Sequence, residues 1–597
     1  MNLSSSNILS IDKSIVVLPF KNLSGDTSYE YFSDGITEEI INALTKIDGL
    51  KVTARTSSFM FKNKPTDIRI IGNQLGVTNA VEGSIRIAKE RIRISAQLTR
   101  TDTGFLLWSE KFDRELGDVF DLQDEISLLI ADKIRENFGH IEIDETLSSV
   151  QTQNLTAYQL YLKGRYFQLT WNLSNLEKAI SFYKEAANFD ASYADPIIAI
   201  GWCYAINASW GHIDREDGLK KANQYLEKGL KMNPNSYTGY FAKATIHFWG
   251  NWKFEEGYQD LQNCFKINPY FSEGMEALAE LYTATGFFDK ALEQTEQILK
   301  INPLSPNHYY TKGNIHYLKG DYQTALKSFE NSLKLDNSFS LSRHLKVACL
   351  LFLRERDAML TYAKSFLNNN FVDMIEAIYK AVHHEEIPQY DETLVLENLN
   401  LMVYWDFYYL VYCQETDIAL MRLEKMVEER IGQIINFQFD PFLLPLRNTK
   451  VFKELQNLVF EGIQTRNFSI EISKTNNIRS FTKKESNELK NALEKVLVTQ
   501  KAFQRSDLSL RSLSEELAIH PNRLSKFIND YLQTNFTELV NSRRLEYFQK
   551  IALLPENSHL TLLGLAYESG FNSKTVFNTY FKKVAGITPK QWLKNNI

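Results

Sequence analysis

Four cysteines in 597 residues are too few for a disulfide framework. Cys203, Cys264, Cys349 and Cys413 lie far apart in helical patterns, so buried thiols are expected. No uninterrupted apolar run approaches the ~18–20 residues that a membrane-spanning helix requires. The richest stretch, Leu401–Cys413, is too short and contains Asp406. The first residues lack a basic segment followed by an apolar one, so no signal peptide is expected. These absences point to a cytoplasmic protein with no membrane partner. Catalytic signatures are also missing. No Gly-x-x-x-x-Gly-Lys run follows a strand pattern, and no Ser/His/Asp, paired-carboxylate or His/Cys cluster stands out. The expectation is a protein that is not an enzyme, with no metal and no cofactor. His383-His384 is an isolated pair, read as surface.

A net positive charge is lacking as well, but the total of −6 hides an asymmetry. Residues 481–597 hold 17 Lys and Arg against 11 Asp and Glu, a charge of +6, leaving −12 on the rest. A basic end on an acidic body is the footprint of a chain whose tail alone meets phosphate. That tail carries one plan twice. Ser512–Leu517 reads as a support helix, followed by a helix starting at Pro521, where a missing N–H costs nothing. Leu524, Phe527, Ile528 and Tyr531 mark its buried face. Asn522, Arg523, Ser525, Lys526 and Asn529 point outward. In the second unit Thr561–Glu568 is the support helix, Gly570 its stop and Asn572 the next cap. Phe577, Tyr580, Phe581 and Val584 are the buried set. Lys574, Thr575, Asn578, Thr579 and Lys582 face away. The buried positions repeat at an offset of 53 residues.

His520-Pro521-Asn522-Arg523-Leu524-Ser525, Asn535-Phe536 with Arg544, Gly570-Phe571-Asn572-Ser573 and Thr588-Pro589 together resemble the AraC-type DNA-binding domain of bacterial transcription regulators. The resemblance covers roughly Leu510–Leu593. It implies two recognition helices joined by a linking helix, about Phe536–Leu553, that enter successive major grooves of double-stranded DNA. Its implied contacts are Pro521, Asn522, Arg523, Ser525 and Lys526 from the first helix. Ser573, Lys574, Thr575, Asn578 and Lys582 follow from the second. Arg523 and Asn578 suit base reading, Arg for guanine and Asn for adenine. Lys582 and Arg543 suit phosphate. Ala518 and Gln533 stand where the family usually has glycine, and strained turns are expected there. Thr579 and Trp592 replace frequent Arg and Tyr.

The N-terminal pattern is mixed α/β. Strands are predicted at Ser14–Phe20, Leu50–Ala54, Ala80–Ile87, Arg91–Thr99 and Leu106–Phe112, with helices at Ile36–Leu44, Ile68–Leu75 and Asp121–Phe138. Ser24-Gly25-Asp26 and Ser33-Asp34-Gly35 read as turns. Val17-Leu18-Pro19-Phe20, Ala54-Arg55-Thr56-Ser57-Ser58-Phe59 and Val81-Glu82-Gly83-Ser84 resemble the TolB-like domain of bacterial signalling proteins, a family that implies an α/β fold and no agreed chemistry. Arg55, Ser57, Ser58, Glu82 and Asp113 could line a polar site. The favoured reading is that Arg55 and Glu82 pair at a sheet end.

Between these ends, Asn233-Pro234, Asn268-Pro269, Asn302-Pro303 and Asp336-Asn337 recur at intervals of 35, 34 and 34 residues. Small and aromatic positions recur with them: Ala279, Tyr282, Gly286, then Gly313, Tyr317, Gly320. This is tetratricopeptide spacing, and the chain resembles that family over about Ala157–Asn370. An insertion is expected around Gly211–Gly218. Trp202, Trp210, Trp249 and Trp252 are read as packing rather than a ligand box. The concave face of such an array docks a protein partner or another protomer.

The expected fold class is multidomain. An α/β N-terminal domain (1–145) precedes an all-α tetratricopeptide superhelix (150–370) and its helical extension (371–461). A linker (462–485) leads to an all-α C-terminal domain with two helix-turn-helix units (486–597), opening on a helix Ser486–Gln500. The expected function is a sequence-specific DNA-binding regulator of transcription whose front sections sense a small-molecule signal or dock a partner. The alternatives are a scaffold with a vestigial DNA-binding tail, or an enzyme hidden in the N-terminal domain.

Overall fold

The computed structural model describes residues 13–143, 152–169, 173–394, 404–463 and 481–596. The N-terminal domain runs β1 (Ser14–Val17), β2 (Lys21–Asn22), α1 (Glu30–Thr45), β3 (Lys51–Val52), α2 (Arg55–Phe59), α3 (Ile68–Leu75), β4 (Asn79–Ala88), β5 (Arg91–Arg100), β6 (Leu106–Glu115) and α4 (Val119–Phe138). The sheet order is β3-β1-β4-β5-β6, with β2 also on β4. β1 lies parallel to β3 and β4, whereas β4, β5 and β6 form an antiparallel meander. In β5 the alternation predicted from sequence is real. Ile92, Ile94, Ala96 and Leu98 are buried under α1 and α4, and Arg91 and Arg93 face out, both tied to Asp113.

Two local elements of the N-terminal domain differ from the sequence reading. The strand predicted to reach Phe20 stops at Val17, because Pro19 has no N–H for the ladder. Ser33-Asp34-Gly35 is no turn. It lies inside α1 and is buried. Asp34 receives Lys62 Nζ at 2.6 Å, and Leu162 of the first repeat packs where a Cβ on Gly35 would sit. Tertiary partners outweigh the local turn propensity of those three residues.

The repeat region is a stack of helix pairs. Leu155–Gln168 precedes Leu173–Phe189, and Ala194–Ser209 pairs with Arg215–Met232. Tyr237–Thr245, Ser272–Ala284, Pro306–Leu318 and Ser340–Phe352 each precede a partner, the last being Arg356–Lys364. Asn233, Asn268, Asn302 and Asp336, the markers of the period, are the residues that close the second helix of their pairs. The small–aromatic pattern is a packing rule: a Cβ on Gly313 would collide with the Phe329 ring. The expected insertion shrinks to a short loop, since Gly218 already lies inside Arg215–Met232. The extension past residue 370 folds back on the array. Phe439 meets the Phe288 ring at 4.9 Å and Phe460 stacks on Phe254 at 5.5 Å. All four cysteines and the four tryptophans of the array belong to this packed body.

The N-terminal domain sits on the array rather than apart from it. The Ala54 N–H donates to Ile301 O at 2.8 Å. Asn302 Oδ1 accepts from the Ser57 N–H at 3.1 Å and from its hydroxyl at 2.5 Å. Glu38 of α1 is held by Arg55 at 3.3 Å and by Arg165 of the first repeat. The expected Arg55–Glu82 pair therefore does not form, and Glu82 instead accepts from Gln97 Nε2 at 3.2 Å. Arg55, Ser57, Ser58, Glu82 and Asp113 are not brought to one site; Arg55 and Ser57 fasten two domains.

The C-terminal domain opens on the helix Lys483–Glu494, three residues earlier than predicted, because Thr482 and Glu485 form a capping box. A π-turn, Lys495–Thr499, ends it. The first support helix is Leu510–Glu516 and the first recognition helix Pro521–Asp530. The linking helix spans Phe536–Ala552. The second support helix is Leu562–Glu568, the second recognition helix Lys574–Ala585, and Pro589–Asn596 closes the chain. The linking helix serves both cores. Phe536 and Val540 join Leu513, Leu524 and Phe527, while Leu545, Phe548 and Ile551 join Leu565, Phe577 and Phe581.

Candidate nucleic-acid interface

Each unit is shaped by a tight turn between its two helices. In the second, Gly570 has φ +93°, and a Cβ there would collide with the backbone of Phe503 and Gln504. In the first, Ala518 takes φ 50°, and Gln533 beyond the recognition helix takes φ 54°. Both sit in the left-handed region where glycine is favoured, as expected from their place in the family pattern. Arg544 ties the linking helix to the turn before the first support helix. Its guanidinium donates to Phe503 O at 2.8 Å and Arg505 O at 2.7 Å, and burial lowers its pKa to about 10.

The second recognition helix presents an open face. Ser573 caps it by accepting from the Val576 N–H, one residue after the predicted cap Asn572. Lys574, Thr575, Thr579 and Lys582 are exposed, and Ser573 and Asn578 are half-buried. Val584, predicted to be buried, is 56 % exposed. The helix ends a residue later, and Trp592 packs on Phe581 at 5.7 Å in its place.

The first recognition helix is different. Leu524, Phe527 and Ile528 are buried as predicted, but Tyr531 is 44 % exposed, stacked on Phe527 at the helix end. The outward set does not face solvent. Asn522 is 8 % and Ser525 5 % exposed, and Pro521, Lys526 and Asn529 are half-buried. The N-terminal domain meets this face at Asn522 and Asn529. Asn522 Oδ1 accepts from Arg135 Nη1 at 2.6 Å and from the Ile143 N–H at 3.2 Å, and its amide donates to Ile143 O at 3.0 Å. Asn529 Oδ1 accepts from the His140 N–H at 3.4 Å. Gly139, at φ +96°, leaves room for it, since a Cβ there would collide with that oxygen. The support helix is held too. Glu136 accepts from the Leu510 N–H at 2.8 Å, and Asp132 receives Arg511 Nε at 3.2 Å. The linking helix adds Thr537, whose hydroxyl lies 3.1 Å from Asn137 Oδ1.

Electrostatics record the contact. Arg135 is buried, and desolvation lowers its pKa against the pull of Asp132. His140 falls to about 4, first through burial and then through Lys526. Arg523, expected to read bases, turns sideways. It meets Glu485 at 3.2 Å and lies 4.9 Å from the Phe481 ring. Phe481 and Glu485 belong to a segment that reads from sequence as linker, and the structure places both against the first recognition helix. Arg543 remains at the surface beside Glu546 at 3.0 Å.

Away from the tail, a cleft of about 1020 Å³, open solvent included, separates α1 from the array. Glu38, Arg55, Arg165, Asp195, Trp202 and Tyr237 are among its walls. Burial raises Asp195 to about 6. Among the described residues no group of His, Cys, Asp and Glu has metal-ligating geometry, and no helix is long and apolar enough to cross a membrane.

A helix-turn-helix domain family model matches residues 513–595, and a tetratricopeptide repeat model matches residues 308–339. The chain is 46 % identical over 167 residues to "Putative adenylate cyclase 3" of Rhizobium meliloti (strain 1021), which is 28 % of each chain. It is 23 % identical over 174 residues to stress-induced-phosphoprotein 1 of Caenorhabditis elegans, 24 % of this chain and 54 % of that one. The chain thus spans about a quarter to a half of these curated relatives. Among solved structures, that of Pseudomonas aeruginosa PilF is 17 % identical with a TM-score of 0.30, covering 39 % of this chain and 98 % of that one.

Proposed function

We propose that the chain is a sequence-specific DNA-binding regulator of transcription, acting in the bacterial cytoplasm without a catalytic step. The observation that carries this reading is the exposed face of the second recognition helix. Lys574, Thr575 and Lys582 stand in open solvent with Asn578 between them, on a helix fixed from behind by Phe577 and Phe581. Lys574 and Lys582 supply charge for phosphate, and Asn578 offers donor and acceptor to an adenine edge. The linking helix is a strut of about 25 Å. With a unit packed at each end it suits successive grooves about 34 Å apart. Pro521, Asn522, Ser525 and Lys526 join the interface once the first face is free. Arg523 would first have to leave Glu485.

The repeats dock a protein partner or pair two chains, and the cleft beside α1 is where a small-molecule signal would be taken up. Pairing would add a second tail and raise avidity by about 10²–10⁴. The test is selection of genomic fragments by the full chain over a salt series. One enriched motif, with affinity falling steeply with salt and lost in Lys574→Ala/Lys582→Ala, is the expected result. No salt-dependent DNA binding would leave the scaffold reading, which the covered first face favours. Light scattering of the full chain checks the pairing; a monomer at all concentrations rejects it.

A further inference from the structure

We infer that the N-terminal domain is an intramolecular cap on the first recognition helix, so that the chain as described is a closed state with one DNA-reading face withheld. This rests on the DNA reading above. The cap competes for the same atoms. Both functional ends of the Asn522 amide are spent on Arg135 and Ile143, and a base edge would need those same ends. Asn529 is engaged by His140, and Ser525, on the same helix, is buried. A duplex cannot approach a helix whose outer face is in van der Waals contact with α4 and the turn after it.

The interface is built to open. The apolar core of the N-terminal domain and those of the C-terminal domain share no residue. The contact between them is made largely by Asp132, Arg135, Glu136, Asn137 and the backbone at His140 and Ile143. Separation therefore leaves each core intact and exposes groups that water can satisfy. Arg135 Nε is buried in the closed state without a hydrogen-bond partner, a cost that opening removes. The carboxylates of α4 also give Arg511 and the Leu510 N–H the charge class of a DNA backbone, so cap and duplex exclude each other by charge as well as by volume.

The N-terminal domain is simultaneously fastened to the array through Glu38, Arg55, Ser57 and Asn302. Whatever moves it on the array moves the cap.

The test uses the full chain with Asn137→Cys/Thr537→Cys, a pair facing across the contact; the natural cysteines are all buried. Binding to a pool of random-sequence duplex DNA is measured for the oxidised and reduced forms. Arg135→Ala/Glu136→Ala, which removes cap contacts and leaves every proposed DNA residue in place, is measured beside them. We expect the oxidised form to bind weakest. The Arg135→Ala/Glu136→Ala chain should bind at least about tenfold tighter than the unmodified one, the factor by which a largely closed population lowers apparent affinity. Equal affinities for all forms would overturn the cap and leave the DNA reading standing. Failure of the cysteine pair to oxidise would also count against the cap. Absence of DNA binding by every form would overturn both.

Discussion

The two helix-turn-helix units follow one plan and differ in what touches them. Position for position, Asn522, Ser525, Lys526 and Asn529 of the first correspond to Thr575, Asn578, Thr579 and Lys582 of the second. The first four are buried or half-buried, Asn522 and Asn529 against the N-terminal domain; of the second four all but Asn578 are exposed. The difference is not in how each unit folds, because both rest on a sealed aromatic core fed by one linking helix. It lies in polar residues that one unit offers to α4 and the other offers to solvent. A duplicated motif can thus hold one copy ready and one in reserve.

The largest effect should come from removing the shared foundation. Phe527 and Phe581 are each fully buried, and each replacement by alanine should cost about 3–5 kcal/mol of C-terminal domain stability. Only Phe527→Ala should also loosen the contact with α4. Thermal denaturation and hydrogen exchange at α4 check this; equal exchange in the two variants would mean that the units do not differ in docking.

The turns sharpen the comparison next. Gly570→Ala meets backbone atoms and positive φ, a strain of order 1–3 kcal/mol. In the other unit the same change in reverse, Ala518→Gly, should stabilise by about 1 kcal/mol by relieving φ 50°. Chemical denaturation of both variants settles the sign, and destabilisation by Ala518→Gly would show that the turn carries no strain.

Acid should act on one unit only. His140 has a pKa of about 4 in the docked state against an ordinary 6.5, held down by burial, Lys526, Lys13 and Arg135 and opposed by Asp530. Docking therefore favours the neutral ring. Its stability is complete above pH 6.5 and is lost as pH falls towards 4. Amide exchange of the first recognition helix, corrected for intrinsic rates, should accelerate in that window while the second stays constant. Parallel behaviour of the two helices would contradict the assignment.

The smallest effect concerns single phosphate contacts. Lys582→Ala should reduce the slope of log affinity against log salt by about 0.9. Lys526→Ala should leave that slope unchanged in the closed chain, since Lys526 is half-buried and its charge acts on His140 of the cap. A reduction by Lys526→Ala equal to that of Lys582→Ala would mean that the first face already meets DNA.

Much of this molecule was determined by its sequence alone. Periodicity located α3, the strands β4 to β6, the helix pairs and both recognition helices, because burial of one face at a fixed spacing is a local property of the chain. The Asn-Pro period marked the true ends of the second helices, and the family pattern pointed to left-handed backbone at Ala518 and Gln533. Tertiary structure alone decided the rest. Ser33-Asp34-Gly35 joined a helix because Lys62 and Leu162 were waiting for it. Arg55 paired with Glu38 instead of Glu82, and Arg523 met Glu485 of the leading helix. Asn522 found Arg135, 387 residues away in the chain. An amphipathic pattern states which face of a helix turns from its own core. It cannot state whether water, DNA or another domain lies beyond, because polar side chains satisfy their hydrogen bonds equally well with any of the three.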